Sequence, residues 1–113
     1  MLFTGLTLTF LKEFVVGLWV TAPVLLTLAA AITVLGQIVG KKEGWLVFDS
    51  FYWSFVTATT VGYGDLRPVK PASRIIAIVI ALMGLTLTGI LIAVAVHAGT
   101  FALKAHDAAA SVK

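Results

Sequence analysis

The sequence predicts an all-α membrane protein: two helices long enough to cross a bilayer, with a shorter re-entrant helix and loop between them. Three observations predict it. Of 113 residues, 60% are hydrophobic and 12% charged, with a mean hydropathy of +1.08, more apolar surface than a soluble domain of this size could hide. Two runs without a formal charge, 14–40 and 75–103, are each long enough to cross roughly 30 Å of hydrocarbon. Between them, residues 45–58 (WLVFDSFYWSFVTA) are mostly apolar yet too few to span.

Each element follows in order. Residues 1–13 are apolar and threonine-rich, ending in Lys12-Glu13, and read either as an interfacial helix or as a disordered start. Residues 14–40 are the first spanning helix. They are too long for a cleaved signal peptide, and Pro23 is placed to bend their early turns. Gly40-Lys41-Lys42-Glu43-Gly44 ends that helix in water. A short helix over 45–59 comes next, with Asp49-Ser50 suited to capping its N-terminus. The loop 60–65 and the proline-containing turn Leu66 to Ser73 lead into the second span, 74–103, and a polar, alanine-rich tail, 104–113, with no fold of its own.

Composition excludes several classes. There is room for one domain, and no cysteine for a disulfide or thiolate metal site. The net charge of +3 comes from scattered residues that form no basic stripe, so a nucleic-acid partner is not expected. No histidine–carboxylate or serine–histidine set lies at workable spacing, so an enzyme is not expected either.

The hexapeptide Thr60-Val61-Gly62-Tyr63-Gly64-Asp65 carries the chemistry. Turning consecutive carbonyl oxygens toward one axis requires backbone that alternates between ordinary and left-handed dihedrals, and glycine takes the latter at little steric cost. Such carbonyls can replace the water shell of a cation without holding it by net charge. One strand supplies one side of the cage, so four copies around an axis are expected. The short helix would aim the partial negative charge of its C-terminus at the same axis.

With its flanks, FYWSFVTATTVGYGDLRP resembles the pore region of tetrameric potassium channels, of the minimal two-helix prokaryotic type, over roughly residues 14–100. The resemblance implies a homotetramer in the cell membrane with both termini cytoplasmic. K+ is then the permeant ion, held by the carbonyls of Thr60, Val61, Gly62 and Tyr63 and the Thr60 hydroxyl, with Gly64 and Asp65 at the outer mouth. Tyr63 would turn outward against a cuff of Tyr52, Trp53 and Thr57, while Trp45 anchors at the interface. Where some relatives carry a glutamate that pairs with the aspartate after the filter, this chain has Val56, so Asp65 must turn to Tyr52 or Trp53.

In the second span, Gly84 stands where family members bend this helix, and Gly89 lies nearby. Both glycines also suit close helix packing. Thr88 and Ile92 would face the cavity, and Ala93 and Val96 the inner constriction. His97 and His106 read as pH sensors or as interfacial residues. Lys41, Lys42, Arg67, Lys70 and Arg74 fall on the outer side, against the positive-inside tendency, and the filter geometry overrides that count. No arginine-rich voltage-sensing helix precedes the first span, so a bare pore, or one joined to a cytoplasmic regulatory domain outside this chain, is expected. The rival readings are a non-selective or sodium-permeable channel of the same fold and a non-conducting membrane subunit.

Overall fold

A computed structural model describes residues 2–111. Met1 and residues 112–113, which end the two terminal segments, lie outside them. Three helices follow in order: α1 (Leu2–Glu43), α2 (Val47–Ala58) and α3 (Pro71–Ser111). Both α1 and α3 are long and apolar enough to cross a membrane, and α2 is not.

The element order matches the expectation, and several boundaries do not. Residues 2–13 are neither a separate interfacial helix nor a disordered start, because α1 runs unbroken through them and through Pro23. Gly40 does not end α1. The stop comes at Gly44, whose φ of +77° lets the Trp45 amide return to the Gly40 carbonyl at 2.9 Å. A left-handed glycine just past the helix, with this bond, closes the orphan carbonyls of the last turn.

The helix α2 starts at Val47 behind Leu46, which makes no side-chain cap, so Asp49-Ser50 is not the cap. Asp49 stands in the first turn, where its charge suits the helix dipole, and the Ser50 hydroxyl donates back to the Leu46 carbonyl. Pro71 opens α3, since a first helical residue needs no amide. The tail is helical through Ser111 because alanine favours helix even outside the span.

Contacts divide the chain into two units, one of Val24–Thr88 and one of the residues up to Pro23 with those from Gly89 onward. In the first, Ile32, Val39, Trp53, Ala58 and Ile80 are buried together, with Leu35, Trp45, Leu66 and Met83 packed around them. Apolar burial between helices gains little in lipid, so close contact has to supply the association. Small residues allow it. A Cβ on Gly36 would lie 1.5 Å from the Ser54 Oγ, and one on Gly40 would lie 1.7 Å from the Ser50 Oγ. GQIVG on α1 thus meets SFYWS on α2, each with its small residues one turn apart. The Ser54 hydroxyl donates to the Ser50 carbonyl at 2.7 Å, so the seam buries no unpaired donor.

In the second unit, Val94, Ala98 and Ala102 form the buried stripe of α3 at helical spacing. Gly17 of α1 meets Val94 there, and Gly99 meets the Phe10 ring. Phe10 stacks on Phe14 with centroids 5.8 Å apart.

Candidate functional site

The loop after α2 owes its shape to where its amides go. The Thr60 N–H donates to the Thr57 carbonyl at 3.1 Å, and the Val61 and Gly62 N–H groups share the Val56 carbonyl at 3.1 and 3.2 Å. Each of these peptides is trans and planar, so its C=O points away from its own N–H. The carbonyls of Thr59, Thr60 and Val61 are therefore all turned from α2.

The dihedrals follow the same logic. Thr60, Gly62 and Gly64 have φ of 64°, 54° and 82°, while Val61 and Tyr63 between them stay on the ordinary side. That alternation is what the two glycines predict. Thr60 was not expected to join it, and a β-branched residue in the left-handed region is strained. Its hydroxyl, donating to the Thr59 carbonyl at 2.6 Å, and its amide bond to α2 hold it there.

The expected cuff is only partly assembled within one chain. Trp53 is 5% exposed and meets Trp45 edge-on at 5.3 Å, so within one chain both tryptophans hold α2 to the core. Thr57 contributes its carbonyl. Tyr63 is 70% exposed and lines an apolar hollow of about 390 Å³ with Phe51, Tyr52, Phe55 and Val61. Asp65 stands near the Tyr52 phenol, one of the two partners expected for it where position 56 is valine.

Behind the loop, Gly84 of α3 is buried against the end of α2, and a Cβ there would lie 2.0 Å from the Ala58 carbonyl oxygen. Close packing thus accounts for this glycine, while Gly89 has open space. Farther along α3, Thr88 is half-buried and Ile92 and Val96 are exposed. Ala93 lines a groove with Val94 and His97, opposite Glu13, Gly17 and Thr21 of α1. His106 is half-buried near the end of α3.

Sequence reasoning missed three contributors. The Val56 and Thr57 carbonyls carry no sequence signal. The glycine–serine seam did have one, in the paired four-residue spacing of GQIVG and SFYWS. Glu43, assigned to a solvated turn, instead accepts the Val69 amide on Oε1 and the Ser73 hydroxyl on Oε2.

Residues 1–100 match the family described as ion channel. The chain belongs to that family. Potassium channels stand among its relatives. The channel is 45% identical over 53 residues, 47% of its length, to TWiK family of potassium channels protein 7 of Caenorhabditis elegans. It is 48% identical over 46 residues, 41% of its length, to a voltage-gated potassium channel of Aeropyrum pernix. It is 34% identical over 77 residues, 68% of its length, to two pore potassium channel a of Oryza sativa. These segments span 10%, 16% and 22% of the three relatives. No solved structure matches. The channel is an all-α membrane protein, and its family is one of channels rather than enzymes.

Proposed function

We propose that the channel conducts K+ selectively and passively through a filter made by Thr60 to Gly64 of four identical chains, with both termini in the cytoplasm of a cell-membrane protein. The observation that carries this reading is the alternation of φ at Thr60, Gly62 and Gly64, joined to amides that turn back to α2. A row of neutral dipoles can exchange for the hydration shell of K+ and release the ion again. A single chain offers one wall of such a cage. Phe48, Phe51, Val61 and Tyr63 are exposed beside it, an apolar surface that other copies would cover in a closed ring. Gating would involve bending of α3, with Ala93 and Val96 as an apolar constriction closing by dewetting.

Purified protein reconstituted in a planar bilayer, with K+ on one side and Na+ on the other, tests the reading. The expected result is a reversal potential close to that of K+. A value near zero would point to the non-selective channel, and absence of current to the non-conducting subunit.

The Tyr52–Asp65 contact has its own consequence. Tyr52→Phe removes the only donor the phenol offers and should speed the decay of current at the filter. Val56→Glu supplies Asp65 with the partner found in some relatives and should change that decay as well. Unchanged kinetics in both variants would show that Asp65 does not govern the outer mouth.

A further inference from the structure

We propose that the groove between the N-terminal half of α1 and the C-terminal part of α3 is a lipid site. Its occupant is one acyl chain of a phospholipid whose head carries a primary ammonium group, phosphatidylethanolamine. The groove, about 380 Å³ in volume, is walled by Val16 and Val20 of α1 and by Ile90 and Val94 of α3. Its floor is made by close approach, since a Cβ on Gly17 would lie 2.6 Å from the Val94 Cγ1. The one hydroxyl in the lining, on Thr21, donates to the Gly17 carbonyl at 2.8 Å, so no free hydroxyl donor faces the interior. Such a lining suits hydrocarbon and offers water little.

The polar groups lie at one end. Glu13 is the last charged residue before the uncharged run 14–40. That run is roughly 40 Å of helix, the thickness of hydrocarbon with its headgroup layers, so Glu13 stands at headgroup level. Val16 and Gly17 stand one turn deeper in the bilayer, and Val20 and Thr21 two. On α3 the same descent runs from His97 through Ala93 and Val94 to Ile90. The groove therefore extends about 11 Å from the headgroups into hydrocarbon, along the path of an acyl chain.

Charge decides which head fits. Glu13 is the one formal charge in the lining, and Lys12 beside it in sequence takes no part. Among the described residues, neither Glu13 nor His97 has a hydrogen-bond or ion-pair partner. An anionic head would bring its phosphate to the carboxylate with no cation to offset the repulsion. A choline head is cationic yet has no N–H to donate. A primary ammonium has three, and it donates to the carboxylate in a charge-assisted bond, while the phosphate beside it accepts from the His97 ring N–H. This assignment depends on the two spanning helices and not on which ion the filter passes.

Purified channel, stripped of lipid in a nonionic detergent, is titrated with phosphatidylethanolamine, phosphatidylcholine and phosphatidylglycerol of the same acyl chains, and bound copies are counted by native mass spectrometry. One phosphatidylethanolamine per chain is expected, with a dissociation constant about tenfold below those of the other two, the size of a charge-assisted hydrogen bond. Glu13→Gln should remove that preference and leave phosphatidylcholine binding as it is. Thr21→Phe, which fills the deep end of the groove, should weaken all three. Equal binding of the three lipids to the wild type overturns the proposal without any variant, as does a preference that survives in Glu13→Gln. Wild-type binding in Thr21→Phe places the lipid elsewhere and overturns it as well. If no lipid is retained and Thr21→Phe changes the assembly of chains, the groove is an interface between copies and the proposal falls.

Discussion

Gly62→Ala is expected to abolish K+ selectivity while the protein still inserts and assembles. Gly62 has φ of +54°, and no atom stands within 4 Å of where its Cβ would be, so the cost comes from the backbone and not from a clash. Holding alanine in the left-handed region costs about 1–2 kcal/mol per chain, and the proposed fourfold ring would incur it four times. The least costly escape is rotation of the peptide after residue 62, which takes that carbonyl out of the row. The same substitution at Gly44, where φ is +77° and the space is equally open, is the control. It imposes similar strain at the end of α1, away from the filter, and should cost stability without moving the reversal potential. A Gly62→Ala channel with wild-type reversal potential would mean that the left-handed backbone at this position does not serve selectivity.

That control shows how far residue type alone could be read. Gly40 and Gly44 are the same residue, four positions apart, flanking Lys41-Lys42-Glu43. As punctuation they are equivalent. In space, one sits where a Cβ would strike the Ser50 hydroxyl and the other turns the chain. The order of elements and the hexapeptide were legible because length, hydropathy and glycine spacing are local properties. Helix ends were less so, since hydropathy marks where lipid ends and not where backbone hydrogen bonding does. Thus α1 and α3 continue through residues that looked like an interfacial or disordered start and a tail.

Trp53 was legible as aromatic and well placed, yet its partner was decided by which face of α2 meets α1. Buried Ser50, Trp53, Ser54 and Ala58 define that face. Glu43 gave no signal at all. Its partners, 26 and 30 residues on, lie in the loop before α3 and in the first turn of α3, and no periodicity connects one helix end to such positions.

The other large effect is expected at Gly84, and it separates packing from bending. Gly84→Ala should lower the thermal stability of the assembled channel and disturb its selectivity, whereas Gly89→Ala should do neither. A methyl on Gly84 would sit 2.0 Å from the Ala58 carbonyl oxygen and 2.5 Å from its Cα and carbonyl carbon. Carbon contacts settle near 3.5–4.0 Å, so α2 and α3 would have to part by about 1 Å or more. No rotamer change relieves this, since every atom it meets belongs to the backbone. Overpacking of this kind costs about 1–3 kcal/mol, against the roughly 1 kcal/mol that alanine gains over glycine within a helix. The displaced element is the end of α2, which supplies the Val56 and Thr57 carbonyls holding the filter amides. Damage there passes directly to the ion path. Gly89 has nothing within 4 Å, so alanine at that position keeps the propensity gain. Its substitution should leave stability equal or higher and act, if α3 bends there, only on the opening rate. If Gly84→Ala melts like the wild type and alters only opening, the contact with Ala58 is looser than the structure has it, and Gly84 serves α3 as a hinge.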